Sequence, residues 1–278
     1  MNLFCILQNL VPQQALSELA GTLAKSDNPY VKKALVHAFA KAYDIDLKEY
    51  KKDSLDDYVS FNEFFTRELK PGARPINEMP NSIACPADGT VSQIGTITHG
   101  QLIQAKGREY DVSQLLADYE LGQSFNDGSF ATIYLAPTNY HRVHMPFDGT
   151  LTATRYLPGT LFSVNNTTAT NVPDLFARNE RLVCEFDTQW GKSCVILVGA
   201  MIVAGIECVA TGAIKRTPYI QERSHDLMLK KGDELGRFYL GSTAIIVLPK
   251  SAQVAWSDEL THGKTVKMGE CIGMRQPQ

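Results

Sequence analysis

The chain has 278 residues, 44% of them hydrophobic, enough to bury a substantial core as one large domain or one domain with an appendage. A formal net charge of -3 leaves no electrostatic footprint for nucleic acid. The six cysteines (Cys5, Cys85, Cys184, Cys194, Cys208 and Cys271) are scattered without a CxxC pair, which favours a reduced compartment over a disulfide framework and speaks against a metal site. At the N-terminus, MNLFCILQNLVPQQ lacks the basic lead and small-residue cleavage site of a secretory signal and is too short to cross a bilayer. In NPYVKKALVHAFAKAYDID, Val31, Leu35, Ala38, Phe39, Ala42 and Tyr43 recur at helical spacing behind Asn28 as a cap, with Lys32, Lys33 and Lys41 forming a basic face. Such a helix either caps the core or lies on an anionic bilayer. SFNEFFTREL reads as a short amphipathic helix, ended by the proline-rich KPGARPINEMP.

From about residue 82 the texture changes to short strands and turns. The apolar run from Cys194 to Ile206 is cut by Gly199 and Gly205 and reads as one or two buried strands. An internal repeat pairs Pro86-Ala87-Asp88-Gly89-Thr90-Val91 with Pro146-Phe147-Asp148-Gly149-Thr150-Leu151, each a D-G turn opening a strand. A second pairs KGDELG (231–236) with KMGECIG (267–273). Both resemble the hairpins of lipoyl and biotinyl carrier domains. The expected fold is therefore α+β: a helical region over 1–75, then a mainly antiparallel, duplicated sandwich over 76–278, with C-terminal strands completing sheets begun upstream. The segment between Ile214 and Lys230 reads as a surface loop in which His225 is incidental.

Three features compete for chemistry. In YHRVHMP (140–146), His141 and His144 face opposite ways on a strand and the same way on a helical turn. They suit general acid/base work, although surface or hydrogen-bonded histidines beside a turn fit the spacing as well. Asp88 is a candidate orienting carboxylate, yet Asp148 holds the same turn position and both aspartates fit a plain turn. In FYLGSTAIIVLP (238–249), Gly241-Ser242-Thr243 interrupts what otherwise reads as one buried strand. A bulge is one reason for that. The other is that the backbone is a reactant: Gly241 leaves its carbonyl sterically open to attack by the following serine. The local text is not GxSxG, so an ordinary nucleophile elbow is not indicated.

LGST, together with YHRVHMP and PADG, resembles the phosphatidylserine decarboxylase family, of the bacterial membrane-associated type. FNEFFTRELKPGARPI, the QAKG at 104–107, LPGTLFSVN (157–165), NVPDLFARNER (171–181) and LVGAMIVAGIE (197–207) are also similar to family text in family order. The resemblance covers nearly the whole chain. It implies a proenzyme in which Ser242 attacks the Gly241 carbonyl, giving an ester, and β-elimination and hydrolysis then leave a pyruvoyl group at position 242. The products would be a large chain (1–241) and a small one (242–278). The pyruvoyl carbonyl would form a Schiff base with phosphatidylserine and serve as electron sink, with no metal and no pyridoxal phosphate.

By the same resemblance Asp88, His144 and Ser242 form the self-cleavage triad, and His141 serves decarboxylation as a proton donor. The lipid substrate implies a peripheral protein on the cytoplasmic face of the bacterial cell membrane, and a homo-oligomer of the processed heterodimer. Phe4, Leu7, Phe39 and Tyr43 are candidates for insertion, and Lys106 and Arg142 for the lipid phosphate. The rival readings are a Ser242-His144-Asp88 hydrolase that stays uncut, and a non-enzymatic carrier-like domain.

Overall fold

The computed structural model describes residues 8, 13–201, 205–239 and 242–276. Its first part is helical, with helices Gln13–Lys25 and Pro29–Tyr43. The second begins as the sequence predicts: the Asn28 side chain accepts from Tyr30 N and Val31 N, and Pro29 occupies the first turn, where its missing N–H costs nothing. Val36 and Ala40 pack with Ala24, Phe61, Phe64 and Phe65. Phe39 lies edge-on to Phe61, Phe64 and Phe65, so it belongs to this small core and is not free to insert in a bilayer. Phe4 and Leu7 lie outside the described residues.

The expected amphipathic helix is shorter and differently buried. Helix Phe61–Phe65 is capped by Ser60, whose side chain accepts from Glu63 N, while Glu63 accepts from Val59 N. Phe61, Asn62, Phe64 and Phe65 are all buried, and only Glu63 keeps a solvent-facing side. The cause is a second packing surface: Arg67 Nη2 donates to Thr138 O at 3.1 Å and Arg142 Nε donates to Thr66 O at 2.9 Å, tying this segment to the 138–142 loop.

From Ser82 on, the strand pairings are antiparallel, giving the α+β class expected. One sheet runs in the order Gln221–Leu229, Gly149–Leu157, Arg181–Thr188, Gly191–Val198, Ser242–Leu248, Ser129–Leu135, Gly89–Thr96, Thr265–Val266. Opposite it lie a sheet of Gly212–Ala213, Gly205–Cys208, Glu234–Tyr239 and Arg142–His144, and another of Ser82–Ala84, Cys271–Arg275 and Val254–Trp256. Ser242–Leu248 is central and buried on both faces. Ala244, Ile246 and Leu248 pack toward Val143, Met145 and Phe238, while Ile245 and Val247 pack toward Phe125, Phe162 and Phe176. This is why its sequence from Ala244 to Leu248 is continuously apolar and not alternating. The 194–206 run supplies two strands, as expected, in different sheets. The 214–230 segment is a loop only as far as residue 220. Gln221–Leu229 is an edge strand, and its polar text follows from having one covered side.

The repeated turns correspond hydrogen bond for hydrogen bond. Met268 N donates to Asp88 Oδ1 as Lys231 N donates to Asp148 Oδ1. Gly269 N bonds Cys85 O as Gly232 N bonds Met145 O, and His144 N bonds Pro86 O as Ala84 N bonds Pro146 O. Each C-terminal turn then feeds a strand of the sheets opposite the large one, Glu234–Tyr239 and Cys271–Arg275. The likeness to carrier domains is an expectation of the sequence alone.

Candidate functional site

FYLGSTAIIVLP is not one interrupted strand. Glu234–Tyr239 ends in one sheet and Ser242–Leu248 starts in another, so Ser242 opens the second strand at the change of sheet. Leu240 and Gly241, the expected cleavage-site glycine, lie outside the described residues. Ser242 is fixed opposite Leu135, and Thr243 is held between Tyr134 and Val198. The Ser242 Oγ is fully buried and has no hydrogen-bond partner. A buried hydroxyl left unpaired costs about 1–3 kcal/mol, and that cost calls for an explanation.

The other candidates gather at the same end of the core. Thr90 pairs with Tyr134, so the Asp88-Gly89 turn flanks the 129–135 strand on the side opposite Ser242. Two strand spacings put their backbones on the order of 10 Å apart, too far for Asp88 to touch the serine directly. His144 lies on Arg142–His144, which pairs with Glu234–Tyr239, and the His141 carbonyl accepts from Phe238 N. The sequence-predicted residues thus share one region, but their hydrogen bonds do not run Asp88–His144–Ser242.

Asp88 is 6% exposed and is gripped by Arg74, whose Nε lies 3.0 and 3.1 Å from the two carboxylate oxygens and whose Nη2 donates to Oδ2 at 2.7 Å. With Met268 N at 2.9 Å on Oδ1, both oxygens are engaged. Arg74 also donates to Glu49, and these two carboxylates push its guanidinium pKa up. The repeat separates the two aspartates: Asp148 makes the same turn bond but faces only Lys230 and Lys231 at the surface.

His144 Nδ1 donates to Gly232 O at 2.8 Å, which leaves Nε2 as the acceptor for the Tyr140 hydroxyl at 3.0 Å. Burial lowers its pKa, so the ring is held neutral. His141 is fully buried; its Nδ1 donates to Asn139 O at 2.8 Å and its Nε2 has no partner. Its ring packs at a tilt against Phe65, 4.1 Å between centroids, and burial pushes its pKa down to about 3. A neutral His141 with an open Nε2 is an acceptor in this state, and acts as a donor only after it has taken up a proton.

Arg142 is committed to Thr66 O and Glu234 and is not free for lipid phosphate. Lys106 is exposed on the turn between Gln101–Ala105 and Arg108–Asp111. His225 Nε2 meets Thr154 Oγ1 at 2.8 Å, remote in sequence and strand position from the site. A cavity of about 350 Å³ opens beside Tyr239, lined among others by Lys25, Asn62, Thr66, Ile206 and Arg237. Among the described residues, no group of three or more His, Cys, Asp or Glu is arranged to hold a metal ion. Sequence reasoning missed Arg74, Tyr140 and the Gly232 carbonyl. Of these only Tyr140 carried a signal, its place inside the two-histidine motif.

Comparison with known proteins bears on what this arrangement serves. A family model described as phosphatidylserine decarboxylase matches residues 61–274, and one described as PSD matches residues 3–44. The phosphatidylserine decarboxylase proenzyme of Psychrobacter cryohalolentis is 64% identical over 273 residues, spanning 98% of this chain and 99% of that protein. The proenzyme of the same name from Acinetobacter baumannii is 55% identical over 271 residues, spanning 98% of this chain and 95% of that protein.

Proposed function

The chain belongs to the phosphatidylserine decarboxylase family and is a carboxy-lyase, and from that premise we propose that it is made as a precursor which cuts itself between Gly241 and Ser242. The observation that carries this reading is the Ser242 hydroxyl: buried, unpartnered and first in a central strand. Thr243 beside it is also unpaired, but only Ser242 follows the glycine, and a hydrolase nucleophile would be displayed at an exposed turn. A hydroxyl kept free of hydrogen bonds beside its own preceding carbonyl suits intramolecular attack.

In this scheme Asp88, His144 and Ser242 serve self-cleavage in different ways. Neutral His144 is the base. Asp88 acts at a distance, fixing the 267–270 turn through Met268 N and adding negative charge near the imidazole. After cleavage, position 242 carries a pyruvoyl group, whose carbonyl supplies the electron sink for loss of carbon dioxide from phosphatidylserine. The residues present fit such a group, since its place is dry, paired to Leu135 on one edge and followed by Thr243, which is held on both. His141, neutral and with an open Nε2, would accept a proton there and return it to the product. The large and small chains stay together because Thr243 to Leu248 remain a buried strand with a neighbour on each side.

The domain division follows the same logic: residues 1–75 dock the enzyme on the membrane that holds its substrate, and residues 76–278 carry the chemistry. No helix among the described residues is long and apolar enough to cross a membrane. Helix Gln13–Lys25 instead exposes Leu16, Leu19 and Leu23 in one stripe, suited to peripheral contact with the cytoplasmic face. The test is Ser242→Ala, followed by denaturing gel and by carbon dioxide release from phosphatidylserine vesicles. We expect one uncut chain without turnover. A variant that is cut, or that still decarboxylates, overturns the reading; a hydrolase would show instead an intact wild-type chain labelled by a fluorophosphonate.

A further inference from the structure

We propose that Tyr140 is a positioning residue for self-cleavage: its hydroxyl donates to His144 Nε2, the nitrogen that must take the Ser242 proton, and holds the imidazole in the accepting tautomer until the serine replaces it. This deepens the reading above and rests on it. The geometry has three parts. The Gly232 carbonyl takes the Nδ1 proton at 2.8 Å, so Nε2 carries the lone pair. The Tyr140 hydroxyl occupies that lone pair at 3.0 Å. Asp88, which a serine-histidine-aspartate relay would place on the histidine, is bonded to Arg74 and Met268 N instead.

Tyr140 is itself 3% exposed and packed with Tyr50, Leu69 and Met268, so its hydroxyl is aimed by a rigid wall. The sequence spacing is four residues, with the rings 5.7 Å apart at 31°. Around His144 the charged groups are Glu234 from the neighbouring strand, Arg142 from its own strand and Asp88 from the turn before Gly89–Thr96. Glu234 and Asp88 favour the imidazolium and Arg142 opposes it. The tyrosine hydroxyl adds a bond available only to the neutral ring, because an imidazolium has no lone pair to accept it.

The step is then balanced. As the Tyr140 hydroxyl leaves Nε2, that nitrogen takes the Ser242 Oγ proton while Oγ bonds to the Gly241 carbonyl carbon. The same proton passes to the amide nitrogen of residue 242 as its bond to that carbon breaks, leaving an ester and a free amine.

The test uses labelled full-length precursor from cell-free synthesis, chased across the range in which imidazole titrates, with the cut fraction read on a gel. Tyr140→Phe keeps the packed ring and removes only the hydroxyl. With the neutral imidazole no longer favoured, the midpoint of the rising limb moves up by about half to one pH unit, the size of one ordinary hydrogen bond. A midpoint that stays put, whatever happens to the rate, overturns the proposal. A wild-type precursor that never cuts sinks the self-cleavage reading separately. In that event imidazole nitrogen NMR of Ser242→Ala still decides on Tyr140: a proton on Nδ1, and a His144 midpoint raised by Tyr140→Phe, support it, whereas a proton on Nε2 overturns it.

Discussion

Replacing Arg74 by methionine strips Asp88 of its cation while leaving the carboxylate where it is. The Ser242→Ala background keeps the chain in one piece for the measurement. Arg74 and Asp88 side chains are 5% and 9% exposed, so the charge left behind is poorly hydrated. Breaking a buried pair by removing one partner costs about 3–5 kcal/mol. Asp88 retains one bond, from Met268 N, which places the expected loss near the lower end, about 3 kcal/mol. The bond from Arg74 to the half-exposed Glu49 adds at most about 0.5 kcal/mol. Adding Asp88→Asn removes the stranded charge and restores most of the difference. Urea unfolding of the two single variants and the double variant reads the coupling, expected at about 2 kcal/mol. If Arg74→Met costs less than about 1 kcal/mol, or the two losses simply add, Asp88 is not held as we describe.

Gly232 has φ +93°, and a Cβ there would stand 2.8 Å from Ile76 Cγ1. Gly232→Ala displaces the carbonyl that fixes His144; we expect self-cleavage slowed at least about tenfold in a pulse-chase gel, with a stability loss of about 1–3 kcal/mol. The buried histidines set a pH dependence of known sign. His141 takes up its proton near pH 3 in the fold and near its ordinary 6.5 when unfolded, so stability is full above about 6.5 and falls as pH drops below it. The slope approaches about 1.4 kcal/mol per pH unit, and burial of His144 adds in the same direction. Urea midpoints of Ser242→Ala from pH 7 downward should show the slope, and His141→Asn should flatten it. Changing Leu16, Leu19 and Leu23 together to serine should weaken flotation with phosphatidylserine vesicles by at least about tenfold without altering the thermal midpoint. Phe39→Ser, by contrast, should lower the thermal midpoint.

What could be read from the sequence was what local text determines. The Asn28 cap, the change of texture near residue 82 and the apolar 244–248 strand all depend on neighbours within a few positions. The paired turns were legible because they recur. What escaped depended on distant partners. One apolar run from Phe238 to Leu248 says nothing of the two sheets it serves, because periodicity does not name a strand's neighbour. Asp88 and Asp148 share one turn text, and the residue that separates them, Arg74, sits in a stretch whose prolines announce only a helix end. Gln221–Leu229 was hidden by edge exposure, and the extent of burial in Phe61–Phe65 by its contacts with the 138–142 loop.

Mass spectrometry of the small chain after a carbonyl-specific label tests the central claim most directly. The account predicts that purified, lipid-converting protein separates under denaturing conditions into chains ending at Gly241 and beginning at position 242, with the label confined to the first position of the shorter one. An active protein that runs as one unbroken chain, with an unmodified serine at 242, would contradict it.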